Sequence, residues 1–148
     1  MTKKQHLEGI LSSSLINYNY WYLKLQVMPL AHTPMPGDYI VLTNDYNYLI
    51  ECKECKNKRF DFSRLTQIKG LIKFDKSGDK FRSYLMLLFW NTNYKQSQCF
   101  LIPLRILQNF IDNCGKLSIN LKDCNKLFKR CTVNFINNKC LDIDKVIL

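Results

Sequence analysis

Residues 36–58 read PGDYIVLTNDYNYLIECKECKNK, and they hold two of the chain's three glutamates, Glu51 and Glu54, beside a lysine-rich run. Two β-favouring runs, 38–43 and 46–53, flank Asn44-Asp45. Both turn residues tolerate a left-handed backbone, so the spacing predicts a tight two-residue hairpin. Cross-strand partners about such a turn have numbers that sum to 89, so Thr43 faces Tyr46 and Asp38 faces Glu51. Directly opposed side chains share one side of a sheet, with Cβ atoms roughly 4.5–5.5 Å apart. Alternation along the strand returns Lys53 to that side. The sequence therefore gathers Asp38, Glu51 and Lys53 into one patch, provided the register does not slip by a residue.

Two carboxylates so close repel unless one stays protonated or a cation sits between them. Mg²⁺ suits the place, because it is a hard ion held by one or two carboxylates with waters and substrate phosphate completing its shell. Mn²⁺ is expected to substitute. A lysine beside the ion could hold a nucleophilic water or neutralise charge building on a phosphate. Metal-bound water also loses its proton more readily than bulk water. The competing reading is an exposed hairpin whose acids pair with neighbouring lysines.

Composition bears on the substrate. The chain of 148 residues carries 22 Lys and Arg against 12 Asp and Glu, a formal charge of +10. Such a balance points to a polyanion, nucleic acid first and an anionic membrane surface second. A single alanine, Ala31, with abundant Asn, Lys, Ile and Tyr, marks an A/T-biased genome, which raises lysine content without functional cause. From Lys53 to Arg82 there are ten basic residues and four acidic ones. Lys56, Lys58, Arg59, Arg64 and Lys69 surround the patch and would contact phosphates, positioning DNA without reading its sequence. Lys76 and Lys80 read as a solvated face.

The longest uninterrupted apolar run, Tyr84 to Trp90, is far short of the ~20 residues a membrane-spanning helix needs. No export signal is legible, and seven cysteines are an odd number, so reduced thiols and a cytoplasmic setting (a bacterium or a phage-infected host) are expected. Cys52-x-x-Cys55 invites zinc, but Cys114, Cys124, Cys131 and Cys140 offer no second close pair. Tyr18, Tyr20, Trp21 and Tyr22 read as strand packing in preference to base stacking. His6 and His32 stand alone.

The elements that position the patch follow from periodicity. Residues 4–16 read as a helix with Leu7, Ile10, Leu11 and Leu15 on one face. Residues 19–27 read as a strand and 28–37 as a Pro-rich loop. After the hairpin come a charged loop at 54–61, a helix from a Ser63 cap to Phe74, and a strand at 84–90 buried on both faces. A strand at 98–102, a helix at 103–113 ended by Gly115, and a helix capped by Asn120 running to Arg130 complete the order, with an edge strand or docked tail last. This is one α/β domain with a central mixed sheet and helices packed on it.

Asp38 followed by Glu51-Cys52-Lys53 resembles the signature of the PD-(D/E)xK nucleases. More narrowly, ECKECKNK followed by a helix carrying Gln67-Ile68 is similar to the RecU-type Holliday junction resolvases, over roughly residues 36–120. The resemblance implies a restriction-endonuclease-like core and a metal-dependent DNA endonuclease, most closely a resolvase cutting branched DNA as a homodimer. Asp38 and Glu51 would be metal ligands, with Glu8 and the carbonyl of Cys52 completing the set. Lys53 would be the catalytic lysine, and Gln67 would contact the scissile region or position a water. The motif's proline is displaced (Pro36-Gly37-Asp38), and the short loop 28–37 replaces the stalk of the RecU type. A nuclease with another DNA substrate and a non-catalytic nucleic-acid-binding protein therefore stay open as alternatives.

Overall fold

The computed structural model describes residues 7–26 and 35–147. Most of the predicted loop 28–37, the start of the first predicted helix, and both histidines lie outside that set. Helix α1 (Leu7–Asn17) leads into strand β1 (Trp21–Lys24), then the hairpin β2 (Tyr39–Leu42) and β3 (Asn47–Cys55). Strand β4 (Arg59–Asp61), a 3-10 turn at Phe62–Arg64 and helix α2 (Ile68–Asp75) follow, and strands β5 (Phe81–Phe89) and β6 (Gln98–Pro103) come next. Helix α3 (Leu104–Cys114), strand β7 (Ser118–Asn120) and helix α4 (Leu121–Leu127) precede β8 (Thr132–Val133), β9 (Phe135–Asn137), β10 (Cys140–Leu141) and α5 (Asp144–Ile147).

Six strands form the central sheet in the order β1-β2-β3-β5-β6-β8. The pair β3–β5 is parallel and the others are antiparallel, so the sheet is mixed as expected. A parallel pair requires a long crossover. Residues 56–80 supply it, with α2 as its helix. Period-two alternation then divides the side chains between two cores. Ile50, Met86, Leu88 and Leu101 meet α1 and the β9–β10 hairpin on one face. Leu49, Leu85, Leu87, Phe100 and Ile102 meet α2, α3 and the β4–β7 pair on the other. Strand β5 is central, and Leu85 to Phe89 are buried on both faces.

Three expectations need correction. Ser63 does not cap a helix: residues 62–64 make a 3-10 turn, Leu65 leaves helical geometry to enter the core, and α2 starts only after Gln67. The charged stretch 54–61 is not simply a loop, because Glu54 and Cys55 extend β3 and Arg59–Asp61 pair with Ser118–Asn120. The helix behind Asn120 stops at Leu127 and gives way to a 3-10 turn at Lys129–Cys131. Its cap is as expected, the Asn120 side chain accepting from the Asp123 N–H at 2.7 Å. At the far end, Gly115 closes α3 with φ 63°, a left-handed value that suits glycine.

Helix α2 approaches the strand that carries Asp38 through a glycine. A Cβ on Gly70 would lie 2.9 Å from the Pro36 Cα, a backbone atom two residues before Asp38. Gly70→Ala is therefore expected to lower stability by about 1–3 kcal/mol through overpacking, despite alanine's better helix propensity. Urea unfolding of the two proteins measures it, and an unchanged or raised midpoint contradicts the contact.

Candidate active site

The hairpin register is the one the turn predicts: Tyr39 pairs with Ile50, Ile40 with Leu49, Val41 with Tyr48 and Leu42 with Asn47. Beyond the last pair, the Asp38 N–H donates to the Ile50 carbonyl at 2.9 Å. Asp38 thus lies just past the paired ladder, one residue off its register, and its carboxyl interacts with those of Glu51 and Glu8 and with Lys53. Its Oδ2 accepts from the Cys52 N–H at 2.7 Å, which pins the carboxylate against β3. In an extended strand the N–H and C=O of one residue point to the same side. The Cys52 carbonyl therefore also turns toward Asp38. The Cys52 side chain alternates to the other face and packs against the first core, while Cys55 belongs to the second. These two thiols lie on opposite sides of the sheet, which removes the zinc reading of Cys52-x-x-Cys55.

Glu51 is the unusual residue. It keeps only 2% of its surface exposed, and its Oε1 meets the Lys53 ammonium at 2.9 Å. Its Oε2 is buried and meets no donor from the rest of the protein, and the Asp38 carboxyl beside it shares a hydrogen bond with Glu51 when one of the two is protonated. Burial pushes its carboxyl from 4.5 up to about 7; the Lys53 hydrogen bond opposes the shift and the neighbouring Asp38 charge adds to it. Asp38 is also raised, first by burial, with the Cys52 N–H pulling the other way. Both carboxyls hold a proton to higher pH than usual, and as close neighbours they titrate as a pair.

A cation would relieve this arrangement. An orphaned buried carboxylate oxygen, a second carboxylate beside it and a backbone carbonyl are all hard donors, and Lys53 compensates only part of the charge. Among the described residues no three His, Cys, Asp or Glu side chains converge on one point. A donor set of two carboxylates suits an ion that keeps several waters, as Mg²⁺ does, better than one that needs a protein cage.

The other predicted residues fall into separate places. Glu8 lies on α1, which packs on the opposite face of the sheet; its carboxylate pairs with Lys24 of β1 at 2.9 Å, and its charge still reaches Asp38, whose carboxyl it helps to raise. It lines the mouth of a cleft of about 840 Å³ together with Lys24, Lys53, Lys56 and Arg64. Gln67 stands at the N-cap of α2 without making a side-chain cap bond, and its Oε1 is buried without a partner. It lies one helical turn before Gly70, on the side of α2 that meets Pro36. Arg64 donates to the Glu54 carbonyl at 2.9 Å and covers the Phe60 ring. Arg59 faces Asp61 at 3.6 Å. Lys58 lies by Asn120 and Lys122, away from the acid pair, and Lys69 is exposed on α2.

Three positioning contacts were not legible beforehand. Lys24 balances Glu8. Glu54 Oε1 accepts from the first N–H of α1, at Leu7, over 3.0 Å, which ties that helix to the motif strand. The buried Tyr39, next to Asp38, donates to the Glu8 carbonyl at 2.7 Å. Each joins residues distant in sequence, and no local spacing announces them. A second hollow of about 460 Å³ between α2 and α3 lies away from these groups. Its buried Asp75 is satisfied by Arg105 at 2.8 Å and by the Ser83 N–H at 3.0 Å.

No protein-family model and no curated protein sequence matches the chain. Among solved structures, it is similar to Hjc, a Holliday junction resolvase from the archaeal hyperthermophile Archaeoglobus fulgidus, with 17% identity and a TM-score of 0.47. The match covers 67% of this chain and 74% of that one. The α/β class rests on the sheet and its flanking helices themselves.

The Glu51 shift has a defined sign. The folded chain holds a proton that the unfolded chain releases above pH 4.5. Metal-free stability should therefore fall as pH rises from about 4.5 through about 7, and level off above. Carboxyl NMR of the metal-free protein should show Glu51 titrating near 7, and Asp38→Asn should lower that midpoint. A Glu51 midpoint near 4.5, or one that ignores Asp38→Asn, would contradict the coupled pair.

Proposed function

We propose that the protein is a divalent-metal-dependent DNA endonuclease acting on branched DNA, with four-way junctions as the first substrate to test. The observation that carries this reading is the buried Glu51 carboxylate, its second oxygen met by no protein donor, set between Asp38 and Lys53, the lysine in turn lining a basic cleft. Buried beside Asp38, that oxygen is satisfied by a shared proton or by a cation, and costs free energy when it has neither.

Asp38, Glu51 and the Cys52 carbonyl would hold Mg²⁺ or Mn²⁺. The bound ion supplies a positive centre that acidifies water and stabilises charge on a phosphate. The protein's own groups do the rest. The Cys52 N–H holds Asp38 in one rotamer. The Lys53 ammonium, fixed on Glu51, hydrogen-bonds a water for in-line attack on phosphorus and faces the charge that develops on the phosphate oxygens. Lys56 and Arg64 line the cleft with Lys53 and attract the backbone on either side. Gln67 adds an unpartnered amide oxygen on the same face, suited to a water in the scissile region. Glu8 would join the ion's outer shell on release from Lys24. A four-way junction has two-fold symmetry and needs two cuts, so a homodimer is the simplest arrangement. No described helix is long and apolar enough to cross a membrane, and a cytoplasmic setting is part of this proposal.

Asp38→Asn and Glu51→Gln are expected to abolish cutting and leave DNA binding largely intact, and Lys53→Met to slow cutting by roughly 10²–10⁴-fold. Synthetic junctions compared with linear and branched duplexes measure it. Preference for linear duplex defeats the resolvase reading, and no Mg²⁺- or Mn²⁺-dependent cleavage of any DNA by wild type leaves a binding protein. Because the ion competes with the Glu51 proton, Mn²⁺ affinity should fall about tenfold per pH unit below about 7. Calorimetry across pH 5–8 checks this, and a flat profile contradicts it.

A further inference from the structure

Helix α2 turns one face to the sheet and another to solvent. Leu71 and Asp75 are buried, while Lys69, Lys73 and Lys76, the last at the C-cap, are exposed. Spacings of four and three residues place the three ammonium groups on one stripe of the helix. Among the described residues no carboxylate lies within ion-pair distance of any of them. Lys24, Lys53, Arg59, Arg105, Lys116 and Lys145 are each paired with an acid, whereas Lys58, Lys80, Lys95, Lys122, Lys129 and Lys139, like the stripe, have no acid within ion-pair distance among the described residues. The stripe is therefore an uncompensated line of positive charge.

Its direction follows from the crossover. The start of α2 meets Pro36, beside the strand end that carries Asp38. Its end is tied to the start of β5, where Asp75 accepts from the Ser83 N–H, and that strand begins opposite Asn47. The helix thus runs antiparallel to β3, from the level of Glu51 back toward the hairpin turn. Lys69 and Lys76 are separated by about 10.5 Å along the axis at 1.5 Å per residue. That matches the axial rise of about three nucleotides in one strand of a duplex, at 3.4 Å each.

We infer that Lys69, Lys73 and Lys76 form a rail for the phosphate backbone of one duplex arm, leading that arm away from the acid pair. The inference deepens the nuclease reading and rests on it for what the acid pair does to the DNA. It assigns Lys73 and Lys76 to the substrate surface, although the sequence alone gives Lys76 no role beyond a solvated face. The contacts are to phosphates, so the rail holds any duplex sequence equally.

The test measures binding of a labelled four-way junction and a linear duplex in EDTA over a range of salt, so that no cutting occurs. The triple variant Lys69→Ala, Lys73→Ala, Lys76→Ala is compared with Lys95→Ala, Lys129→Ala, Lys139→Ala, which removes the same charge from exposed residues near the opposite sheet edge. The rail variant should lose roughly tenfold or more in affinity at moderate salt. Its slope of log affinity against log salt should flatten by about 2–3, near 0.9 per lost phosphate contact. The comparison variant should change the slope by less than about 1. Thermal unfolding of both variants should match wild type, since all six side chains are exposed. Equal slopes in the two variants, an unaltered slope in the rail variant, or no DNA binding by wild type would overturn the rail. Wild type that binds with this pattern but cuts nothing in Mg²⁺ or Mn²⁺ would leave the rail standing and remove the nuclease.

Discussion

The site depends on one costly feature, a carboxylate buried on the face of a sheet with only half of its hydrogen-bonding capacity met. Glu51 reaches that position because β3 alternates strictly and its odd residues face the second core. Leu49 before it and Cys55 after it pack as the alternation requires. Glu51 occupies the same row, where an apolar side chain would bury more cheaply. Lys53 meets one oxygen, and Asp38 prevents the other from being an easy anion. A protein retains such a group where its unmet demand is used, and here a hard cation or a proton are the two species that satisfy it.

The rest of the fold serves to hold the partners of that carboxylate. The tight hairpin brings Asp38 back beside it, and the Cys52 N–H fixes the second carboxylate. Tyr39 and Glu54 tether α1 from the far side of the sheet, which places Glu8 and Lys24 at the mouth of the cleft as a matched pair. Gly70 lets α2 close onto Pro36. That contact places Gln67, with its own unpartnered oxygen, on the acid pair's side of the sheet. The charge pattern then divides by role: Glu8 at the cleft and Glu51 beside it are each met by a lysine, and the lysines of α2 are left open to solvent.

The hairpin was legible in the sequence because two independent signals agree there. Asn44-Asp45 dictates a two-residue reversal, and the period-two pattern on both sides admits one register. The two-faced burial of β5 was legible from its unbroken apolar run, and the ends of α3 and α4 from Gly115 and Asn120. Short elements stabilised by distant partners were not. Strand β4 exists because Arg59–Asp61 meets Ser118–Asn120, and three residues carry too little pattern to announce it. The start of α2 was misplaced because Ser63 is a good cap by type, while Leu65 must leave the helix to reach the core. At the site, spacing grouped Asp38, Glu51 and Lys53, but it could not show that Glu8 turns to Lys24 or that Glu54 caps α1. Those contacts depend on how α1 docks, which no local motif encodes.

The most direct test of the central claim is the anomalous map of a crystal soaked in Mn²⁺ at pH 8. The account predicts one strong peak bound by a carboxylate oxygen of Asp38 and by Glu51 Oε2. No peak there, or a Glu51 Oε2 already satisfied by a donor of the protein itself, would contradict it.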